Sequence, residues 1–392
     1  MLSRKRLWVA LYALTFILLL NSCVDPFDPQ VKNTPESFLV VDGFINSQGI
    51  TTIKLSRTVN LSADSIAPPE TQATVYIEAE AGSSYNLAEQ DAGTYTSGSL
   101  SLDLAKKYRL HIQLISGKEY ISDYTSIKIT PPIDNINWEA KNNGLQIYVN
   151  SHDATNSTQY YRWQYEETWE FNAAFYSGLE YSNNTIISRT EDIYLCWKTE
   201  LSSAIRIAST VRLNQDVVSN YPLVNLPTTS AKLARRYSIL VKQYALSPEE
   251  HLYYETLQKN TENIGSLFDP LPTQLTGNIH AVANASEPVI GFVGAYSETQ
   301  KRIFVGREEL PKDWGRTITG YESCPVPDSI VIDGLQYRNL KEVEDYFRST
   351  LYLPLSPIYS KGMPVLIGYT ASSASCADCR LRGTNVKPDF WE

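Results

Sequence analysis

Methionine and histidine are scarce in this chain, with 2 and 4 residues among 392. The histidines His111, His152, His251 and His280 are widely separated. No His-Glu-x-x-His run occurs, no Gly-x-Ser-x-Gly elbow and no phosphate-cradling glycine loop, so zincin, α/β-hydrolase and P-loop chemistry have no foothold. Acids are plentiful but scattered, and no carboxylate pair for glycoside hydrolysis can be selected from them. Lys/Arg-rich blocks and basic helix faces are lacking, and the net charge is −9. That disfavours nucleic acid, whose binding rests on phosphate neutralisation. No internal repeat of fixed period appears. No catalytic residue, metal ligand or cofactor is assigned.

What is present begins at the first residues. Arg4, Lys5 and Arg6 precede an apolar run from Leu7 to Leu20, which ends in Asn21-Ser22-Cys23. A basic start, a short apolar core and small residues before a cysteine make a secretory signal peptide over 1–22. The run is shorter than the roughly 20 residues a spanning helix needs. Leu20-Asn21-Ser22-Cys23 resembles the bacterial lipobox, in which the cysteine is acylated, so Cys23 is the expected lipidation site. More than one acyl chain gives stable anchoring. Residues 23–36 read as a tether, stiffened by Pro26, Pro29 and Pro35. Asp25 and Asp28 resemble the acidic export signals of surface lipoproteins, with an ordinary polar linker as the alternative.

Tyrosine is abundant, at 26 residues, and it suits half-buried strands. In the stretch 37–130, Val75, Ile77 and Ala79 alternate to one face, as do Tyr108, Leu110, Ile112 and Leu114, with His111 directed outward. Ser116-Gly117-Lys118 makes a hairpin turn. Turn and strand spacing resemble immunoglobulin-like and prealbumin-like sandwiches. Pro131-Pro132 is the expected boundary, because two prolines block strand pairing. The clearest strand follows, with Tyr161, Trp163, Tyr165, Trp169 and Phe171 on one parity and Arg162, Gln164 and Glu166 on the other; Glu167 alone breaks the apolar face. The aromatic row is either a sugar-stacking platform or the inner face of a sandwich, and strict alternation favours the inner face.

Ser247-Pro248-Glu249-Glu250 reads as a capping box opening a helix near 248–260. A second helix is expected over 340–348. The tail after Leu351, rich in proline and glycine, is expected to wrap the second domain irregularly. Cys196, Cys324, Cys376 and Cys379 are even in number in an exported chain, which points to disulfides with three pairings open. Cys324 is expected to pair with one of Cys376 and Cys379. Zinc would need two further ligands, and a redox Cys-x-x-Cys would need a helix start in an α/β fold. Asp64-Ser65-Ile66 and Asp328-Ser329-Ile330 resemble O-glycosylation sites, with plain turn serines as the alternative.

Several short segments follow one another in a recognisable order. They are Cys23 with Asp25-Pro26, Leu39-Val40-Val41-Asp42-Gly43, Gly93-Thr94-Tyr95, Tyr160-Tyr161-Arg162-Trp163, Leu246-Ser247 with Tyr253-Tyr254, Gly277-Asn278-Ile279, Val289-Ile290-Gly291-Phe292 and the Cys376–Cys379 segment. In this the chain resembles the Bacteroidota lipoproteins of domain-of-unknown-function family 4249. The resemblance implies an outer-membrane lipoprotein, often encoded beside a TonB-dependent transporter, and it supplies no catalytic residues.

The expectation is therefore an all-β protein of two immunoglobulin/prealbumin-like sandwich domains, 37–130 and 131–392, the second with a helical insertion and a C-terminal wrap. The expected role is non-catalytic. It is a lipid-anchored binding or accessory subunit at the outer membrane, facing the cell exterior, with a TonB-dependent transporter as partner. A surface adhesin or envelope-structural lipoprotein is the alternative, and an extracellular hydrolase is third.

Overall fold

Alternating strands build nearly all of the computed structural model, which describes residues 37–59, 67–80, 82–262, 275, 277–314 and 319–391. The expected lipidation site Cys23, the leader, the tether and the Asp64-Ser65-Ile66 site lie outside the described residues. The protein is mainly β, with sheets paired as sandwiches.

The first sheet has 11 strands. Leu39–Asn46 pairs antiparallel with Gln48–Arg57, which pairs with Thr94–Ser101. Thr74–Ala79 pairs with Ser84–Asp91 on one side and Lys107–Gln113 on the other. The inward parity read from the sequence is the buried one: Val75, Ile77, Ala79, Tyr108, Leu110 and Ile112 are each 1% exposed or less. They share one core with Leu39, Val41 and Ile53, so the sheet closes over a single apolar interior. Gly117, at φ +83°, turns the hairpin from Lys107–Gln113 into Glu119–Ser122, a conformation that favours glycine.

Three more strands of this sheet come from far along the chain. Ile279–Ala281 pairs with Glu119–Ser122, while Val289–Ile290 and Ala295–Tyr296 run parallel to Leu39–Asn46. The boundary expected at Pro131 is thus crossed a second time. Residues assigned by sequence to the second domain complete the edges of the first, because open strand edges need backbone partners. Nor is Pro131-Pro132 a loose hinge. The Pro131 carbonyl accepts from Gln243 Nε2 at 2.8 Å and from Thr299 Oγ1 at 2.9 Å.

The second sandwich sets Ile133–Lys141, Gly144–His152 and Val217–Leu226 against a five-stranded sheet. The aromatic strand, Tyr160–Asn172, lies in that sheet between Leu195–Leu201 and Arg236–Ala245. Tyr161 and Trp163 are fully buried and Tyr165 and Trp169 nearly so. The aromatic row is therefore the inner face and no sugar platform. Trp163 Nε1 donates to Gln243 Oε1 at 2.8 Å, which satisfies the one polar atom of a buried indole. Glu167, the odd acid on this face, is buried; it accepts from Lys232 Nζ at 2.7 Å and Tyr237 Oη at 2.9 Å.

Helix α1 (Pro248–Thr261) starts where its cap predicts. Helix α2 (Leu340–Tyr346) packs Val343 beside Tyr369 and Ala371 of a small sheet. That sheet corrects the reading of the tail as an irregular wrap. Asp328–Val331, Tyr352–Tyr359 and Leu366–Ser373 form three strands, with Leu366–Ser373 in the middle. Pro354 and Pro357 lie on an outer strand, where the register shifts between them. Prolines are tolerated on such an edge because no ladder donor is lost. Two disulfides hold this module: Cys196–Cys379 and Cys324–Cys376. The first ties the tail to Leu195–Leu201, and Tyr321 and Ala173 pack around the sulfurs.

Candidate binding clefts at the sandwich junction

The two sandwich cores meet through a third apolar cluster. Tyr244, Leu246, Tyr253, Tyr254 and Tyr296 are buried there, with Phe44, Tyr160 and Phe292 packed against them. Phe44 stacks on Tyr296 at 4.5 Å between ring centroids and meets Tyr244 edge-on at 5.1 Å. Such ring pairs contribute beyond their buried area. Helix α1 roofs the cluster with Tyr253 and Tyr254.

Glycines let the backbones approach. A Cβ on Gly291, at φ +144°, would sit 2.2 Å from the Val41 carbonyl, and one on Gly277 would sit 1.7 Å from the Gly291 carbonyl. Only glycine fits such contacts. Asn278 locks the same crossing, giving Nδ2 to the Val293 carbonyl at 3.0 Å and accepting the Val293 amide at 2.8 Å. Thr130 adds a stitch from the other side: its Oγ1 accepts the Ala245 amide at 3.0 Å and donates to the Ser297 carbonyl.

A buried acid and an arginine occupy this junction. Ser247 caps α1 as expected, accepting the Glu250 amide at 3.1 Å. The reciprocal half of the capping box is not formed. Glu250 instead turns inward, 1% exposed, and accepts from Tyr296 Oη at 3.1 Å. Gly294 makes the room, since a Cβ there would lie 2.3 Å from Glu250 Oε2. Burial pushes the Glu250 carboxyl up to about 8, against the opposing pull of Arg162 and the hydrogen bond from Tyr296. Removing a carboxylate from water disfavours its charged form. Arg162 lies over the Tyr254 ring at 4.1 Å and the Tyr244 ring at 5.7 Å. Its pKa is raised: burial lowers it, but Tyr254, Tyr296, Glu250 and Tyr244 together outweigh that.

Two clefts flank the cluster. The larger, about 700 Å³, runs beside α1 and is lined by Tyr124, Lys128, Glu249, Leu252, Tyr253 and Phe292 among others. The smaller, about 440 Å³, lies between the outer face of the five-stranded sheet and the strands Leu39–Asn46 and Gln48–Arg57; Arg162, Gln164, Lys242 and Tyr244 form one wall. The polar parity of the aromatic strand, which alternation alone turns toward solvent, thus faces the first sandwich.

The histidines do not converge. His111 is less exposed than its outward parity suggests: it is 9% exposed, stacks on Tyr76 at 4.4 Å and pairs with Glu119. His251 is half-buried beside Tyr160, and burial lowers its pKa. His152 pairs with Asp134 and His280 with Asp123, both at the surface. Among the described residues, no group of three or more His, Cys, Asp or Glu side chains could hold a metal ion, and no helix is long and apolar enough to cross a membrane. Ser329 is exposed on the strand Asp328–Val331 and not in a turn.

Sequence reasoning missed Arg162 and Glu250. Each looked ordinary where it stood, one as a polar alternation and one as a cap residue. The signal was collective. Asp42-Gly43, Arg162, Tyr253-Tyr254, Gly277-Asn278 and Gly291-Phe292 lie far apart in sequence and meet at this junction.

Fold and junction together define a β-sandwich protein of two linked cores with preformed clefts between them. The family described as "Domain of unknown function (DUF4249)" matches residues 24–302, more than half of the chain, and the chain belongs to that family. No curated protein matches the sequence closely enough to count as a relative. Among solved structures, the chain is similar to a two-domain fibronectin type III segment of chicken tenascin, at 8% identity and a TM-score of 0.17, over 54% of this chain and 92% of that one. It is also similar to chitinase ChiA74 from Bacillus thuringiensis, at 11% identity and a TM-score of 0.14, over 45% of this chain and 30% of that one.

Proposed function

We propose that the protein is a lipid-anchored outer-membrane lipoprotein of a Bacteroidota cell, facing outward, and a non-catalytic binding or accessory subunit of a TonB-dependent nutrient uptake system. The leader ending in Leu20-Asn21-Ser22-Cys23 supports the anchor. One observation carries the binding role: the cleft beside α1 combines aromatic walls (Tyr124, Tyr253, Phe292) with polar groups at Lys128, Glu249 and Ser247. Concave sites that mix apolar walls with a few polar groups suit ligand or partner capture. The glycine crossings and the Asn278 clasp hold the backbones beside this concavity close together.

The test is in the native membrane. Cys23→Ala is expected to move the protein from the membrane to the soluble fraction. Purification of the wild type in mild detergent, followed by mass spectrometry, is expected to recover an outer-membrane receptor. A Cys23→Ala protein that stays in the membrane would refute the anchor; repeated recovery of the protein alone would refute the accessory role.

A further inference from the structure

The smaller cleft is lined by the junction arginine, Arg162. Among the described residues, Arg162 makes no ion pair and no hydrogen bond; it lies over the rings of Tyr254 and Tyr244, with the buried Glu250 carboxyl and Tyr296 also acting on its charge. Those rings orient the guanidinium and leave its hydrogen-bonding nitrogens unused at the cleft wall. Lys242, on the neighbouring strand, and Lys54, across the cleft on the first sandwich, line the same space; neither forms an ion pair among the described residues, although Lys54 stands opposite Asp42 in the strand register. Three cations that form no ion pair among the described residues thus line one cleft, beside the carboxylates of Asp42, Glu166 and Glu298. Two acids in these walls are already engaged. Glu166 pairs with Arg302 at 3.2 Å, and Glu298 accepts from Tyr244 Oη at 2.9 Å. Asp42 is exposed and has no ion-pair partner among the described residues.

We infer that this cleft binds a small polar molecule through a carboxylate, with Arg162 as the main anchor and Lys54 and Lys242 as supporting charges. A planar guanidinium fork matches the two oxygens of a carboxylate. Asp42, Glu166 and Glu298 stand in the same walls and repel a dianionic phosphate more strongly than a monoanion. The same acids accept hydrogen bonds from hydroxyl or ammonium groups elsewhere on the ligand, and Gln164 and Asn46 add neutral polar contacts. An acidic sugar and an acidic peptide both have this chemistry. The inference goes beyond the membrane role above and stands whatever partner the protein has.

The experiment is calorimetric titration of the full chain in detergent with glucuronate, alanyl-aspartate, glucose and glucose 6-phosphate. At least one of the two carboxylates is expected to bind saturably below about 10 mM, with glucose at least tenfold weaker. Which carboxylate binds identifies the source. Arg162→Lys keeps the charge and loses the fork, and is expected to weaken binding about tenfold. Should that variant fold poorly, the double variant Lys54→Gln with Lys242→Gln is expected to weaken binding several-fold and to flatten its salt dependence. The inference is overturned if neither carboxylate binds, if glucose binds as tightly, if the phosphate ester binds better than both, or if the lysine pair leaves affinity and salt dependence unchanged. Each of these results leaves the co-purification test untouched.

Discussion

Replacing Glu250 by glutamine tests the junction most directly, because the effect has a sign that depends on pH. An unfolded chain releases the Glu250 proton near the ordinary value of 4.5, whereas the folded protein holds it up to about 8. Between those values the folded state binds a proton that the unfolded state has lost. Stability from this group is therefore fully present below 4.5 and is lost as pH rises through 8. A tenfold difference in proton affinity corresponds to about 1.4 kcal/mol, so the loss between pH 6 and pH 8 comes to about 2 kcal/mol. The glutamine of Glu250→Gln keeps the shape and the contact with Tyr296 but carries no proton to lose. For a body of this size the difference is about 3 °C in melting temperature. On going from pH 6 to pH 8, Glu250→Gln is therefore expected to gain about 3 °C relative to wild type. Scanning calorimetry of both proteins across this range makes the comparison. An equal gap between them at pH 6 and pH 8, of whatever size, would refute the account of Glu250 as a buried acid held protonated. The surrounding groups that bear on this titration are Arg162, Tyr296 and Tyr254, with the hydrogen bond at Ser247.

Gly294→Ala is expected to destabilise the fold by about 2 kcal/mol, since the new methyl meets the Glu250 carboxyl group and the Tyr296 ring; combining it with Glu250→Ala should recover part of the loss in a thermal melt. Trp163→Ala removes a fully buried indole and leaves Gln243 short of a donor, at a cost of about 4 kcal/mol in denaturant unfolding. Cys324→Ser with Cys376→Ser opens a loop spanning 52 residues, a loss of about 4 kcal/mol by chain entropy, and limited proteolysis should then cut the tail first. Asp153 works in the opposite pH direction to Glu250. Burial acts to raise its pKa, but hydrogen bonds from Thr155, Thr158 and Ser157 outweigh that and hold it well below the ordinary range. Its stabilisation is present above that range and is lost as pH falls, so Asp153→Asn should flatten the acid limb of the melting curve.

Local pattern was enough to place the strands with clean alternation and the start of α1. In Lys107–Gln113 each residue's parity decides its face, and the hairpin at Gly117 needs only the three residues that form it. Ser247 and Pro248 act on the backbone immediately beside them. Where the alternation was broken, the sequence was less explicit. Pro354 and Pro357 suggested a coil, and only their place on an outer strand shows why a sheet tolerates them.

What the sequence determined by itself was the set of strand faces, the capped helix and, after Cys23, an even set of cysteines suited to pair. The first two depend on neighbours within a few positions. Tertiary structure decided the rest. It brought 277–296 back to the first sheet, matched Cys196 with Cys379 and Cys324 with Cys376, and turned Glu250 from a helix cap into a buried acid. It also set Arg162 against two tyrosine rings at the edge of a cleft. These outcomes rest on contacts between residues tens to hundreds of positions apart, and no local periodicity encodes which distant surface a polar side chain will face.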